Sequence, residues 1–344
     1  MLEPGELQAA VAGGVLDAQQ AERLSAFLAA RGTAVEPADA DDERFRLIGG
    51  FNDVFVTIGI ALIFGALAAL MIASPGLFPY IGAALAWGLA EVFTLRRRMA
   101  LPSIVLAALF AMLAAACVFE EFIGRFRLFD LPPKAAAMPL IGLAAAVAAY
   151  VHFIRFRVPI DVALTTGGLA LSLVALIANL APDWLSGHAG LFALSLGLSV
   201  FVLAMYFDLS DPARRTHRSD TAFWLHMLAA PLIAHGIFAG VIGASRFSGE
   251  HAGAVLAATL MFVLVALVID RRAMIVAALT YAGGALYYFV KGAGTTTDTV
   301  AVSILLLGGG ILLLSVGWRW LRAAIVPRLP LRALTARLPP IHAA

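Results

Sequence analysis

The sequence predicts an all-α, polytopic membrane protein with about ten transmembrane helices arranged as five hairpins, preceded by a short N-terminal cytoplasmic helical module. Of the 344 residues, 62% are hydrophobic and 13% are charged, whereas a soluble domain carries about 25% charged residues. The mean hydropathy is +0.93. The apolar residues form continuous runs of about 20 residues, which is the length that spans a bilayer as a helix. They do not alternate with the period of two that an outer-membrane barrel requires.

Each apolar run ends at a charged residue, a proline or a glycine, and we count ten predicted spans. They lie near residues 53–73, 77–95, 100–119, 135–154, 158–180, 189–207, 220–243, 252–269, 273–290 and 299–317. The five hairpins begin at a loose period of about fifty residues. The residues before the first run are polar and acidic and do not have the basic start of a signal peptide, so this run is expected to be an uncleaved span.

The basic residues are divided unevenly between the two sets of connections that ten spans create. The set that contains both termini holds 19 of the 24 Lys and Arg residues, and the other set holds 5. Cytoplasmic loops retain basic residues during membrane insertion. The protein is therefore predicted to lie in an inner membrane with both termini on the cytoplasmic side. The net charge of +2 does not indicate a nucleic-acid partner, and the lipid bilayer is the first partner expected.

Composition divides the chain into three segments. They are a cytoplasmic helical module with an acidic linker (1–46), a ten-helix transmembrane domain (47–317) and a basic cytoplasmic or interfacial tail (318–344). Within the module, a first helix is expected near residues 4–12. Asp17 is the predicted N-cap of a second helix that continues to Ala30, because an Asp side chain accepts a hydrogen bond from free N–H groups of the first turn.

The two ends of the chain carry opposite charge. The module has a net charge of −5, and the tail has a net charge of +5. The tail is expected to be an interfacial anchor that Trp318, Trp320 and its arginines hold beside anionic lipid. The alternative is that it contacts the acidic N-terminal module.

The predicted cytoplasmic corners between spans are similar to one another. They contain the patterns Glu91-x4-Arg96-Arg97-Arg98, His152-x2-Arg155-x-Arg157-x-Pro159 and Asp270-Arg271-Arg272. With these corners and its N-terminal two-helix module, the chain resembles a family of bacterial multi-pass integral membrane proteins with a small N-terminal helical domain of unknown function. The resemblance covers most of the chain and implies the membrane fold. It transfers no activity and no catalytic residue.

The fifth predicted span carries a polar stripe. Asp161, Thr165, Gly168, Ser172 and Asn179 fall within a narrow sector of one helical face. Eighteen residues at 1.5 Å each cover about 27 Å, nearly the thickness of the hydrocarbon core. Polar residues at this depth usually face other helices or water. The stripe is therefore a candidate pathway for a small solute or a proton.

Other spans carry weaker stripes. Their members are Tyr80, Trp87, Glu91 and Thr94; Asp220, Trp224, Pro231 and His235; and Thr280, Gly284, Tyr287 and Lys291. His235 lies about 22 Å into its helix, too deep for a capping role, and with Glu91 it is a candidate proton carrier. Asp220 is placed on the inner side and Lys291 in the outer half. His226 faces away from the Asp220 stripe and is expected to pack.

Structural interpretations account for many of the same residues. Asp53, Asp161 and Asp220 each lie in the first turn of a span, where a carboxylate caps free N–H groups. Glu91 is placed to extend toward the arginines that follow it. Serine, threonine and glycine at helical spacing commonly pack helices together.

Three classes of function remain open. The first is a secondary transporter or exporter of a small solute, with proton coupling through the stripe residues. The second is a membrane scaffold or sensor whose N-terminal module binds a partner. The third is an interfacial enzyme that acts on a lipid-linked substrate, using the polar connector between Asp208 and Asp220 with His217 as acid or base.

The motifs favour a chain that is not an enzyme. No phosphate-binding loop, zinc-protease helix or nucleophile elbow is present in the sequence. The single cysteine, Cys117, excludes an intrachain disulfide and a cysteine-based metal site. We therefore predict no cofactor and no metal.

Overall fold

The computed structural model describes residues 11, 13–14, 16–34, 51–72, 75–127, 134–212, 214, 216–242, 248–292 and 298–330. Among these residues the regular structure is helical, with no strand. The chain divides into two compact units, Met1–Glu43 and Arg44–Ala344. The predicted helix near residues 4–12 and most of the acidic linker lie outside the described residues.

One helix, α1 (Ala18–Ala34), is described in the N-terminal unit. Its start matches the predicted cap, because Asp17 Oδ1 accepts a hydrogen bond from the N–H of Gln20 at 2.6 Å. Gln20 Oε1 in turn accepts one from the N–H of Asp17 at 3.0 Å. This reciprocal pair is a capping box. The helix ends four residues later than predicted.

Ten helices of the second unit are long and apolar enough to cross a membrane, which confirms the predicted all-α polytopic class. They are α2 (Phe51–Leu70), α3 (Phe78–Ala90, continued by the π-helical segment Glu91–Arg96), α4 (Ala100–Arg127), α5 (Lys134–Phe156), α6 (Ile160–Leu180), α7 (Pro182–Ser210), α8 (His217–Ile242), α9 (Gly249–Ile269), α10 (Ala273–Gly292) and α11 (Thr299–Val316). A short helix, α12 (Trp318–Ile325), follows.

The four connections that the sequence predicts to be cytoplasmic contain a residue in the left-handed conformation. These residues are Arg98, Arg157, Arg214 and Asp270, with φ between 51° and 58°. For a residue other than glycine, this conformation costs about 1 kcal/mol or more of conformational free energy. The left-handed conformation turns the chain sharply at each corner. The helices joined at these corners form the most extensive helix contacts of the unit. We call the end of the bundle where these four corners lie the basic end.

Small residues allow two of these pairs to approach closely. A Cβ atom added to Gly168 of α6 would lie 2.6 Å from the backbone nitrogen of Ala146 on α5, and one on Gly142 would lie 2.6 Å from that of Ser172. Gly236 of α8 is similarly close to Leu194 of α7. Close approach of backbones is the usual use of glycine between membrane helices.

The second unit has two buried apolar clusters. One is formed by α2, α3, α4 and the α5–α6 corner, with Ile60, Phe64 and Leu106 at its centre. The other is formed mainly by α7 to α10 and includes Phe238 and Trp318. Trp224 of α8 packs against both.

We expect Gly168→Ala to lower the stability of the protein and Gly88→Ala to leave it unchanged or raise it. Both substitutions gain helix propensity of about 1 kcal/mol. Only Gly168 faces backbone atoms, and overpacking costs about 1–3 kcal/mol; a Cβ on Gly88 meets nothing within 4 Å. The measurement is the temperature at which each detergent-solubilised variant loses its monodisperse size-exclusion peak. Equal temperatures for the two variants would contradict the close packing of α5 and α6.

Candidate functional site

A histidine and an aspartate form a buried pair across the α5–α6 corner. His152 lies in the last turns of α5, and Asp161 lies in the first turn of α6. The His152 Nδ1 to Asp161 Oδ2 distance is 2.8 Å, and both side chains are 0% exposed. The sharp turn at Arg157 brings these residues together although they belong to different helices. An ionisable pair with no solvent contact is costly in an apolar bundle and is a functional candidate by default.

Three polar atoms at this site have no hydrogen-bond partner in the described part of the chain. Among the described residues, nothing bonds to His152 Nε2, Asp161 Oδ1 or Thr165 Oγ1. Thr165 lies one turn after Asp161 on the same face of α6. The N-cap of α6 is Pro159, which forms no side-chain cap bond. Asp161 itself lies in the first turn, and its carboxylate is bonded to His152.

Three aromatic rings pack beside the imidazole of His152. The ring of Trp87 on α3 lies 6.1 Å away, that of Phe110 on α4 5.8 Å, and that of Phe156 on α5 4.4 Å, measured between centroids. Trp87 also contacts the other two rings at about 5 Å. Aromatic faces attract cations. We call these three residues the aromatic box.

A second ion pair lies beside the aromatic box. Glu91 accepts two hydrogen bonds from Arg155, at 2.9 Å from Nε and 2.8 Å from Nη2. The Arg155 guanidinium also lies 5.8 Å from the centre of the Phe156 ring. Both charged side chains are partly exposed, at 51% and 32%. Glu91 thus pairs with the neighbouring corner instead of extending toward the arginines that follow it, and it begins the π-helical segment, a feature common at functional sites.

A second buried histidine and carboxylate join α7 to α8. His226 Nε2 lies 2.7 Å from Asp208 Oδ2, and Asp208 also pairs with Arg271. Arg271 Nη2 donates to the hydroxyl of Ser219 at 3.1 Å. His226 is fully buried, as predicted for a packing residue, but it is also bonded to a carboxylate. We call this group the Asp208 cluster.

Asp270, next to Arg271, joins three elements at the basic end: its own α9–α10 corner, the α7–α8 connection and α12. Its carboxylate accepts a hydrogen bond from Trp318 Nε1 at 2.9 Å and pairs with Arg214 at 3.1 Å and with Arg322 at 3.6 Å. Arg214 also donates to the backbone carbonyl of Asp270 at 2.7 Å. Trp318 and Arg322 are buried. The beginning of the basic tail, α12, is thus held by the α9–α10 corner.

The predicted stripe of α6 faces α5 along much of its length. Gly168 contacts the α5 backbone, and the Ser172 hydroxyl donates to the carbonyl of Pro139 at 2.7 Å. Asn179 Nδ2 donates to the carbonyl of Ala175 in its own helix at 3.0 Å. Of the stripe, Asp161 and Thr165 belong to the buried site. The proposed pathway role of the complete stripe remains a prediction.

The remaining predicted residues make other contacts. Asp220 is 3.5 Å from His217 Nδ1, in the first turn of α8. His235 is exposed on α8, with Nδ1 3.4 Å from the Tyr281 hydroxyl. Lys291 is exposed in the last turn of α10. Asp53 is buried, and it accepts a hydrogen bond at 3.2 Å from the first N–H of α4.

The sequence contained signals for the residues that were missed. His152 stands at the head of the corner pattern that includes Arg155 and Arg157. Asp208 opens the polar connector assigned to the enzyme hypothesis. Neither signal reveals its partner, because His152 and Asp208 each bond to a residue of another helix.

We expect His152→Leu to destabilise the protein far more than Arg155→Leu. The first change leaves the buried Asp161 carboxylate without its partner, which costs about 3–5 kcal/mol. The second removes a partly exposed pair, for which about 0–1 kcal/mol is typical. Adding Asp161→Leu to His152→Leu should recover much of the loss. Thermal unfolding in detergent gives all four stabilities. A similar loss of stability in both single variants would contradict this expectation, because the buried pair would then contribute no more than a partly exposed one.

Among the described residues, no three His, Cys, Asp or Glu side chains are grouped to hold a metal ion.

No family model, curated protein or solved structure matches the chain. The fold and the apolar helices identify an integral membrane protein.

Proposed function

We propose that this protein is a proton-coupled secondary transporter or exporter of a small solute, and that the His152–Asp161 pair binds the coupling proton. The observation that carries the proposal is the complete burial of this pair among apolar helices, with His152 Nε2 and Asp161 Oδ1 free of partners among the described residues. A buried imidazole and carboxylate share a proton readily. Buried groups of this kind in membrane helices are typical of proton relays.

The surroundings of the pair support a site that a proton reaches from one side. The Glu91–Arg155 pair is partly exposed and borders the aromatic box, which packs against the imidazole. Thr165, Ser172 and Asn179 continue the polar face of α6 away from Asp161. We propose this face, with Glu91, as the route of the proton. Asp220, His235 and Lys291 are secondary candidates.

The orientation we propose places the basic end and both termini on the cytoplasmic side of a bacterial inner membrane. It is supported by the division of 19 and 5 basic residues between the two sets of connections. Membership of the bacterial family that the sequence resembles is part of the same proposal.

A scaffold or sensor role is the second candidate, and one observation favours it. The N-terminal residues Met1–Glu43 form a compact unit of their own. Such a unit can bind a partner independently of the membrane helices. Its acidic charge also makes the basic tail a candidate partner within the chain.

The transport proposal predicts that an imposed proton gradient is dissipated by a solute only when Asp161 is intact. Proteoliposomes loaded with a pH-sensitive dye are given amino acids, sugars, organic anions, organic cations and inorganic cations in turn. We expect one class to dissipate the gradient in the wild type, and Asp161→Asn and His152→Gln to abolish the effect. His188→Gln, which changes an exposed histidine, is the control. Equal responses of the wild type and Asp161→Asn, or no response to any class, would contradict the proposal.

Deleting residues 1–46 separates the two candidate functions. The membrane helices contain the complete buried site, so we expect the shortened protein to retain solute-dependent dissipation of the gradient. If the module is instead the functional element of a scaffold, its deletion abolishes partner capture in a pull-down from membranes, and the vesicle assay shows no activity before or after the deletion.

A further inference from the structure

The two buried histidine–carboxylate pairs differ in the fixed charge beside them. In the Asp208 cluster, the guanidinium of Arg271 neutralises the carboxylate, so the cluster is neutral when His226 carries no extra proton. In the His152–Asp161 pair, the imidazole is the only ion-pair partner of the carboxylate among the described residues. With a neutral imidazole and an ionised carboxylate, this pair has a charge of −1. It is therefore neutral only while it holds one additional proton, either on the imidazole or on the carboxyl group.

Among the described residues, no Lys or Arg side chain forms an ion pair with Asp161. The charges of Glu91 and Arg155 cancel each other. Asp53 and Asp220, on flanking helices, are negative and are engaged elsewhere. The N-terminus of α6 offers only about half an elementary charge. Loss of the proton would thus leave an uncompensated carboxylate in an apolar bundle, which is strongly unfavourable.

A cation that enters as the proton leaves would keep the site neutral throughout a transport cycle. The side chains beside the site favour an organic cation, because the rings of Trp87, Phe110 and Phe156 lie 4.4 to 6.1 Å from the imidazole. Aromatic rings of this kind bind quaternary and other organic cations. An inorganic ion would instead require a shell of oxygen ligands. In this structure the imidazole lies between Asp161 and the aromatic box, bonded to the carboxylate and 4.4 Å from the Phe156 ring, in the place of such a cation.

We infer that the transported solute is a monovalent organic cation that exchanges for the proton of the His152–Asp161 pair and binds between Asp161 and the aromatic box. This inference rests on the proposed transport function. In the exchange, the N–H bond of the imidazolium breaks and its proton passes to solvent, while the entering cation takes over the ion pair with Asp161. The partly exposed Glu91–Arg155 pair marks the side from which the cation enters.

The test measures proton release when a cation binds. Tetraphenylphosphonium is added to the purified full-length protein in detergent at very low buffer capacity, and bound cation and released protons are counted together. Tetraphenylborate, which has the same shape and the opposite charge, is the matched ligand control. We expect a proton to be released for each bound tetraphenylphosphonium and none with tetraphenylborate. This comparison needs no variant, so it stands even if a substitution impairs folding.

Variants assign the effect to the site. Asp161→Asn should abolish proton release. Trp87→Leu should weaken tetraphenylphosphonium binding roughly tenfold or more. Trp184→Leu, which removes an exposed tryptophan of α7, should change neither.

Three results would overturn the inference: binding without proton release, release that persists in Asp161→Asn, or release with Na⁺ in place of the organic cation. The vesicle assay separates this failure from failure of the proposed function. If a solute other than an organic cation dissipates the gradient through Asp161, the transport function stands and only the substrate class is wrong.

Discussion

A carboxylate enclosed by apolar helices requires a positively charged or hydrogen-bonding partner, and this requirement organises the basic end of the protein. Asp161, Asp208 and Asp270 are all buried, and each lies within a few residues of a corner. Their partners come from other helices or connections, because the helix that carries a carboxylate offers it no cation. Neutralising these three groups therefore ties α5 to α6, α7 to α8 and the α9–α10 corner, and that corner to the α7–α8 connection and α12.

The strained corners are part of the same arrangement. A glycine would adopt the left-handed conformation without cost, yet Arg or Asp occupies all four positions. At two of them the side chains bind each other, since Arg214 pairs with Asp270. At a third, the Arg157 guanidinium lies 5.3 Å from the centre of the Phe153 ring. Arg214 and Arg322 also donate to backbone carbonyls at the C-terminal end of α9, where a positive charge is favourable. The side chains thus provide contacts that glycine could not.

Helical periodicity predicted which residues share a face, but it did not predict what that face contacts. The stripe of α6 does lie on one face, and it meets α5, where Ser172 and Gly168 make close helix contacts. The stripe of α3 brings Trp87 to the aromatic box and Glu91 to Arg155. His235 shares a stripe with Asp220 but lies on the exposed surface of α8. Its depth in the helix indicated burial in the membrane, which differs from burial within the protein.

The sequence by itself determined the ten helices, their approximate ends and the concentration of basic residues on one set of connections. These properties are local, because they depend on the length of apolar runs and on the charges that interrupt them. Only the tertiary structure decided which polar residues form pairs. Asp208 and Arg271 are separated by 63 positions, and Glu91 and Arg155 by 64. Such pairs depend on the lateral order and rotation of the helices, which close packing of small residues and the neutralisation of buried charge fix together.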